Sequence, residues 1–141
     1  MTEQSVIIAC ATNDKKELVN DHFGEATWFM LFKLSKKNIS EIKSIKNKTA
    51  SESEEEEHSH GAAKKAKAII EHFKSENVDI FLSRQFGPNI KRIKKEVLPV
   101  IIRGSEAIKS DLELCRTNFD TLLNRLAEPA DSRKHLVFTK N

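Results

Sequence analysis

Five consecutive apolar residues, Val6-Ile7-Ile8-Ala9-Cys10, leave the N-terminal segment no polar side to turn toward water. The run is rich in β-branched residues, and its polar borders hold it to the length of a strand. A strand of this kind must be covered on both faces, which requires a sheet with further elements above and below it. Val78-Asp79-Ile80-Phe81-Leu82 has nearly the same character, and Leu98 to Ile102 supplies a third run.

Helical periodicity fills the spaces between these runs. From Gly61 to Asn77 the apolar residues Ala62, Ala66, Ile69, Ile70 and Phe73 fall on one face. Gly87-Pro88 opens a second helix with proline at its favoured first position, and that helix carries Ile90, Ile93 and Val97 inward. Gly104-Ser105 opens a long third helix with apolar residues at 108, 112, 115, 119, 122, 123 and 126. Strands alternating with helices need right-handed crossovers and a mostly parallel sheet. Ahead of them, Trp28-Phe29-Met30-Leu31-Phe32 within 27–34 is strongly β-prone, and Ser35-Lys36-Lys37-Asn38 reads as a turn. The returning segment, 39–47, has apolar residues at 39, 42 and 45, a spacing that suits a helix, or an edge strand carrying a bulge. The fold class is therefore α/β: three layers, a mixed five-stranded sheet with helices on both faces, in the element order of ribonuclease H-like folds.

A chain of 141 residues buries roughly 68% of its unfolded surface, enough for one core without disulfides. Residues 1–126 form a single domain in this reading, and 127–141 a C-terminal tail whose alternation at Leu136 and Phe138 is too slight to predict a strand. Within the domain, 48–60 is expected to be a mobile acidic loop, because five glutamates lie between Ser51 and Glu57 with almost nothing apolar among them. The net charge of +3, from 24 basic and 21 acidic residues, gives no reason to expect nucleic-acid binding. Two cysteines more than a hundred residues apart make neither a disulfide framework nor a CxxC metal site, and they suit a reducing cytoplasm. No apolar run reaches the ~18 residues of a membrane span, and 1–5 lacks the start of a signal peptide.

Chemistry is expected where loops leave the carboxyl ends of parallel strands. The loop after the first strand carries Asn13, Asp14 and then Asp21-His22-Phe23-Gly24-Glu25-Ala26. An imidazole at position 22 can bind a metal, and glycine at 24 lets the backbone take a conformation other residues avoid and lets a ligand approach. The plainer alternative is that Phe23 plugs the core while His22 faces solvent. The loop after the fourth strand reads Ser83-Arg84-Gln85-Phe86-Gly87-Pro88-Asn89. It offers a fixed positive charge at Arg84 and, ahead of the helix, amide groups at Gly87 and Asn89 that favour an anion; taken alone, Gly87-Pro88 is more simply explained by helix initiation. If the two strands are parallel neighbours, these loops face one another. His58 and His60, beside the glutamates, are weaker metal candidates, a solvated acidic loop being the simpler account. Nothing points to a catalytic residue.

The stretches 21–26 and Arg84-Gln85-Phe86-Gly87-Pro88-Asn89, with His60-Gly61 and Val78-Asp79-Ile80 between them, resemble the dinitrogenase iron–molybdenum cofactor biosynthesis domain family. The likeness spans about residues 5 to 110, with the motifs in the family's order. It implies a ribonuclease H-like fold and a role in binding, carrying or delivering iron–sulfur or molybdenum-containing clusters. It also places the family's cluster-binding histidine on His22. The acidic loop and everything beyond about Asp111 inherit nothing from it, and a nitrogenase role for this chain does not follow.

The expected function is a non-enzymatic carrier for an anionic metal–sulfur cluster, of iron–molybdenum or iron–sulfur type, in cluster assembly or delivery. The chain lacks the four cysteines of a protein-built iron–sulfur cluster, so the cargo would be prebuilt and loosely held. Expected partners are the cluster and an assembly or acceptor protein, with neither nucleic acid nor membrane. A nuclease, the other role its fold suggests, needs carboxylates clustered on central strands, and 6–11 has none. A regulatory or scaffold module binding a protein partner is the alternative, through the 108–126 stripe if that stripe is a pairing seam rather than a core face.

Overall fold

The computed structural model describes residues 4–20, 23–47, 70–87 and 90–140. The elements are β1 (Ser5–Thr12), a 3-10 turn (Phe23–Glu25), β2 (Trp28–Ser35), β3 (Ile39–Lys46), helical residues 70–74 (α1), β4 (Ile80–Ser83), α2 (Ile90–Ile93), β5 (Leu98–Arg103), α3 (Ile108–Thr117), α4 (Phe119–Leu126) and β6 (Leu136–Thr139). They build one sheet of strand order β3-β2-β1-β4-β5-β6. β1, β2 and β3 pair antiparallel, while β4 lies parallel to β1, β5 to β4 and β6 to β5. The segment expected to be a mobile acidic loop, 48–60, lies outside the described residues.

The period-two alternation of each strand sorts its side chains between two cores. Ile8, Cys10, Met30, Phe32, Ile80 and Leu82 face α3 and α4. Ala9, Ala11, Phe29, Leu31 and Phe81 face the 3-10 turn and the buried residues Ile70, Phe73 and Ile93 of α1 and α2. Helices thus cover both faces, as the uninterrupted apolar run of β1 requires. No helix among the described residues is long and apolar enough to cross a membrane.

The expected edge strand with a bulge is present. The β2–β3 register shifts between Leu31, opposite Lys43, and Phe32, opposite Glu41, so Ile42 is the inserted residue, and it is largely exposed.

Three expectations need correction. The sheet has six strands, not five: Leu136–Thr139 adds β6 in register with Val100–Arg103, burying Leu136 and Phe138. Gly104 lets the chain pass close by, since a Cβ there would stand 2.9 Å from the Lys140 carbonyl oxygen, and its φ is 75°. The long helix expected from Gly104-Ser105 is two helices that start at Ile108 and break at Asn118. The Asn118 side chain and backbone N–H both donate to the Leu114 carbonyl (2.8 and 3.2 Å), terminating α3 as asparagine often does. The helix after Gly87-Pro88 also ends earlier than its apolar spacing implied: among the described residues it runs over Ile90–Ile93 and gives way to turn residues 94–96, short of Val97.

Candidate cofactor-binding site

Because β1 and β4 are parallel neighbours, with Ile8, Ala9 and Cys10 opposite Ile80, Phe81 and Leu82, the loops that leave them emerge at one end of the sheet. β1 is also where the sheet changes from antiparallel to parallel pairing, and open α/β sheets bind ligands beyond such strand ends.

The first loop begins as a tight turn held by its own side chains. The buried Thr12 hydroxyl accepts from Lys15 N (3.0 Å) and donates to the Glu17 carbonyl. Asp14 Oδ1 accepts from the backbone N–H groups of Lys16 and Glu17, both at 2.9 Å. These bonds, that from Glu17 foremost, hold the Asp14 carboxyl below its ordinary pKa. Lys15 takes a left-handed φ of 66° and sets its ammonium 3.9 Å from the centre of the Trp28 ring. Asn13 is exposed, and its Oδ1 accepts from both Thr27 N (2.9 Å) and Thr27 Oγ1 (3.1 Å), tying the start of the loop to its end.

Two connections join this loop to the second. Phe23 N donates to the Gln85 carbonyl at 3.0 Å. Asn20 accepts twice, from Arg84 Nη1 at its side-chain oxygen and from Gln85 Nε2 at its carbonyl (3.0 Å). Beneath the junction the buried Phe23 ring lies 4.3 Å from Phe81, 4.9 Å from Phe29 and 5.4 Å from Phe86, centre to centre. Phe23 and Phe86 are thus the apolar pegs of the two loops, one from each, set side by side.

The structure therefore brings the Gly24 turn and the Arg84–Gly87 loop together, as expected of parallel neighbours. His22 and Asn89 lie outside the described residues, as do His58 and His60. Asn13 stands on the rim, with its side-chain oxygen engaged by Thr27. Gly24 does not use glycine's special freedom: it sits in a right-handed 3-10 turn open to any residue. The left-handed conformation belongs to Gly87, with a φ of 74°. The helix start expected at Gly87-Pro88 falls partly on residues 88–89, which lie outside the described residues; α2 is described over Ile90–Ile93. The positive charge at the junction comes from Arg84.

Sequence reasoning missed Asn20 and Asn47. Asn47, at the end of β3 and 7% exposed, donates from Nδ2 to the carbonyls of Gly24 (2.9 Å) and Ala26 (2.8 Å) and so clamps the turn. No local signal marks it, because its partners lie more than twenty residues upstream. Among the described residues no group of three or more His, Cys, Asp or Glu side chains could hold a metal ion. Cys10 and Cys115 are buried in the core under α3, where burial raises both thiols, Cys115 to about 12, so neither offers a thiolate at neutral pH.

The model of the dinitrogenase iron-molybdenum cofactor family matches residues 4–113. The chain belongs to that family. The match takes in both loops of the candidate site and ends within α3, leaving α4 and β6 beyond it. No curated protein matches the chain.

Proposed function

We propose that this protein is a non-enzymatic carrier for an anionic metal–sulfur cluster, of iron–molybdenum or iron–sulfur type, held between the β1 and β4 loops. The observation that carries the reading is the Phe23-to-Gln85 hydrogen bond, which joins the two loops beyond the carboxyl ends of parallel strands. Membership of the dinitrogenase iron-molybdenum cofactor family supports it. The order β3-β2-β1-β4-β5, antiparallel and then parallel, supports a ribonuclease H-like arrangement with β6 added at one edge.

The donor chemistry fits a cargo better than a resident centre. Both thiols are buried and protonated, so a cluster would be gripped by few protein ligands. The His22 imidazole would supply the one metal-binding nitrogen, and Arg84 a positive charge that favours an anion. The Gly87 and Asn89 amides would add donors, with Gly24 and Asn13 on the opposite wall. A cluster held in this way arrives prebuilt and leaves intact, for which the partner is an assembly or acceptor protein in a reducing cytoplasm. The apolar stripe of 108–126, which could have served to pair with a partner helix, is occupied: Ile108, Leu112, Cys115, Phe119 and Leu122 are buried against the sheet.

The test is anaerobic titration of isolated iron–molybdenum cofactor, and separately of a four-iron four-sulfur cluster, into wild type, His22→Ala and His72→Ala. Absorption and co-elution report retention. His22→Ala is expected to lose retention with its fold intact, while His72→Ala, at an exposed position, retains cluster like wild type. Retention should also weaken below about pH 6, as an unperturbed imidazole protonates and stops being a ligand. Equal retention by wild type and His22→Ala would overturn the assignment.

A further inference from the structure

Arg84 continues the Ile80–Leu82 series of β4, whose side chains face α3. On that helix, one turn from its start, Asp111 is completely buried. Its Oδ2 accepts from Ser105 Oγ at 2.6 Å, while its Oδ1 has no hydrogen-bond partner in the protein. Arg84 Nε is likewise buried and without a partner, and the start of α3 lies at the same end of the sheet, Ile108 N donating to the Lys16 carbonyl of the first loop at 2.8 Å. The two atoms are complementary, since a guanidinium N–H only donates and a carboxylate oxygen only accepts. Leaving both unsatisfied in a dry interior is unfavourable, and one water with two such partners satisfies both.

We propose that Asp111 is the positioning residue behind Arg84: an internal water accepts from Arg84 Nε–H and donates to Asp111 Oδ1. The guanidinium is then fixed from two sides, by Asn20 in the first loop through Nη1 and by α3 through the water. Lys140, at the end of β6, flanks the assembly, its Nζ 2.7 Å from Ser110 Oγ and 3.5 Å from Glu106. Burial raises the Asp111 pKa, and the Ser105 hydroxyl, Lys140, the Glu106 backbone and Arg84 lower it, while the neutral thiols of Cys10 and Cys115 complete the surroundings. The importance of this for an anionic cargo rests on the function proposed above; the pairing does not, and it can be tested with no cluster present.

The experiment follows exchange of arginine Nε–H protons with solvent by nuclear magnetic resonance, using the full chain and assigning Arg84 with Arg84→Lys. In wild type the Arg84 proton should exchange at least about tenfold more slowly than those of the exposed Arg92 and Arg103. In Asp111→Ala that protection should fall to within about twofold of the exposed arginines, while the Arg116 and Arg125 signals stay in place. If Asp111→Ala does not fold, Asp111→Asn decides the matter through a displaced Arg84 resonance in an intact fold. Fast exchange of Arg84 in wild type overturns the proposal, and so does an Arg84 signal unchanged in a folded Asp111 variant.

Discussion

Against one face of the sheet, five of the eight phenylalanines (Phe23, Phe29, Phe73, Phe81 and Phe86) pack ring to ring, with centres 4.3 to 5.4 Å apart. Against the other, α3 and α4 lay down a mostly aliphatic core of Ile, Leu and Val with two thiols. The aliphatic face is covered by regular helices, whose backbone hydrogen bonds are satisfied internally and need the core only for adhesion. The aromatic face meets, among the described residues, the two loops, the 3-10 turn and the helical residues 70–74 and 90–93, and the loop stretches have few such bonds. There large rings supply the order, since a loop residue such as Phe23 or Phe86 contributes its whole ring to the core. Both loops of the candidate site anchor on the aromatic face, through Phe23 and Phe86, whose rings hold the loop backbone in place.

The sharpest test of this contrast replaces one anchor on each face. Phe23→Ala is expected to cost about 3–5 kcal/mol, and Leu122→Ala in α4 about 2–5 kcal/mol, by urea unfolding followed through Trp28 fluorescence. The two should differ in the site. Protection of the residue 23 amide, bonded to the Gln85 carbonyl, should vanish in Phe23→Ala below the unfolding transition and persist in Leu122→Ala. Equal loss in both variants would mean that the faces do not act separately.

A smaller effect is expected at Asn47. Truncating Asn47→Ala strips hydrogen bonds from the Gly24 and Ala26 carbonyls and should cost about 1–3 kcal/mol, with exchange rising first in the 3-10 turn. A variant as stable as wild type would show that the aromatic pegs hold the turn without the clamp.

The smallest effect belongs to the charge on the aliphatic side. Burial, the foremost influence, raises the Asp111 pKa above its ordinary value. A carboxyl raised in the folded state contributes stability that is fully present below its unfolded pKa, about 3.9, and lost as pH climbs through the folded value. Asp111→Asn removes that loss, so the difference in Tm, variant minus wild type, should grow more positive as pH rises from about 3.5 toward 7. A difference that is flat or reversed in sign would mean that hydrogen bonds to the ionised carboxyl outweigh its burial.

Much of the fold was legible because periodicity is a local property. The apolar run at 6–10 required cover on both faces, and the 39, 42, 45 spacing in β3 suited an edge strand only with a bulge, which Ile42 provides. That the two loops of the candidate site meet was legible on the condition that their strands be parallel neighbours, which β1 and β4 are.

Other features had no local signature. Leu136 and Phe138 are too brief an alternation to announce a strand; β6 exists because the open edge of β5 offers unpaired backbone groups and Gly104 lets Lys140 come close. The stripe of 108–126 reads as one helix, since spacing records which side is buried and not where a side chain such as Asn118 diverts the backbone. Glycine at 24 and at 87 look alike as letters, but only at 87 does the chain path require the left-handed conformation. Sequence determined the strands, the buried faces and the two loops, because neighbouring residues and backbone geometry suffice for these. Tertiary structure alone decided Asn47 beneath the turn, Asn20 against Arg84 and Asp111 behind it, because a polar side chain takes its role from the partner that burial brings within reach, and those partners are far away in the chain.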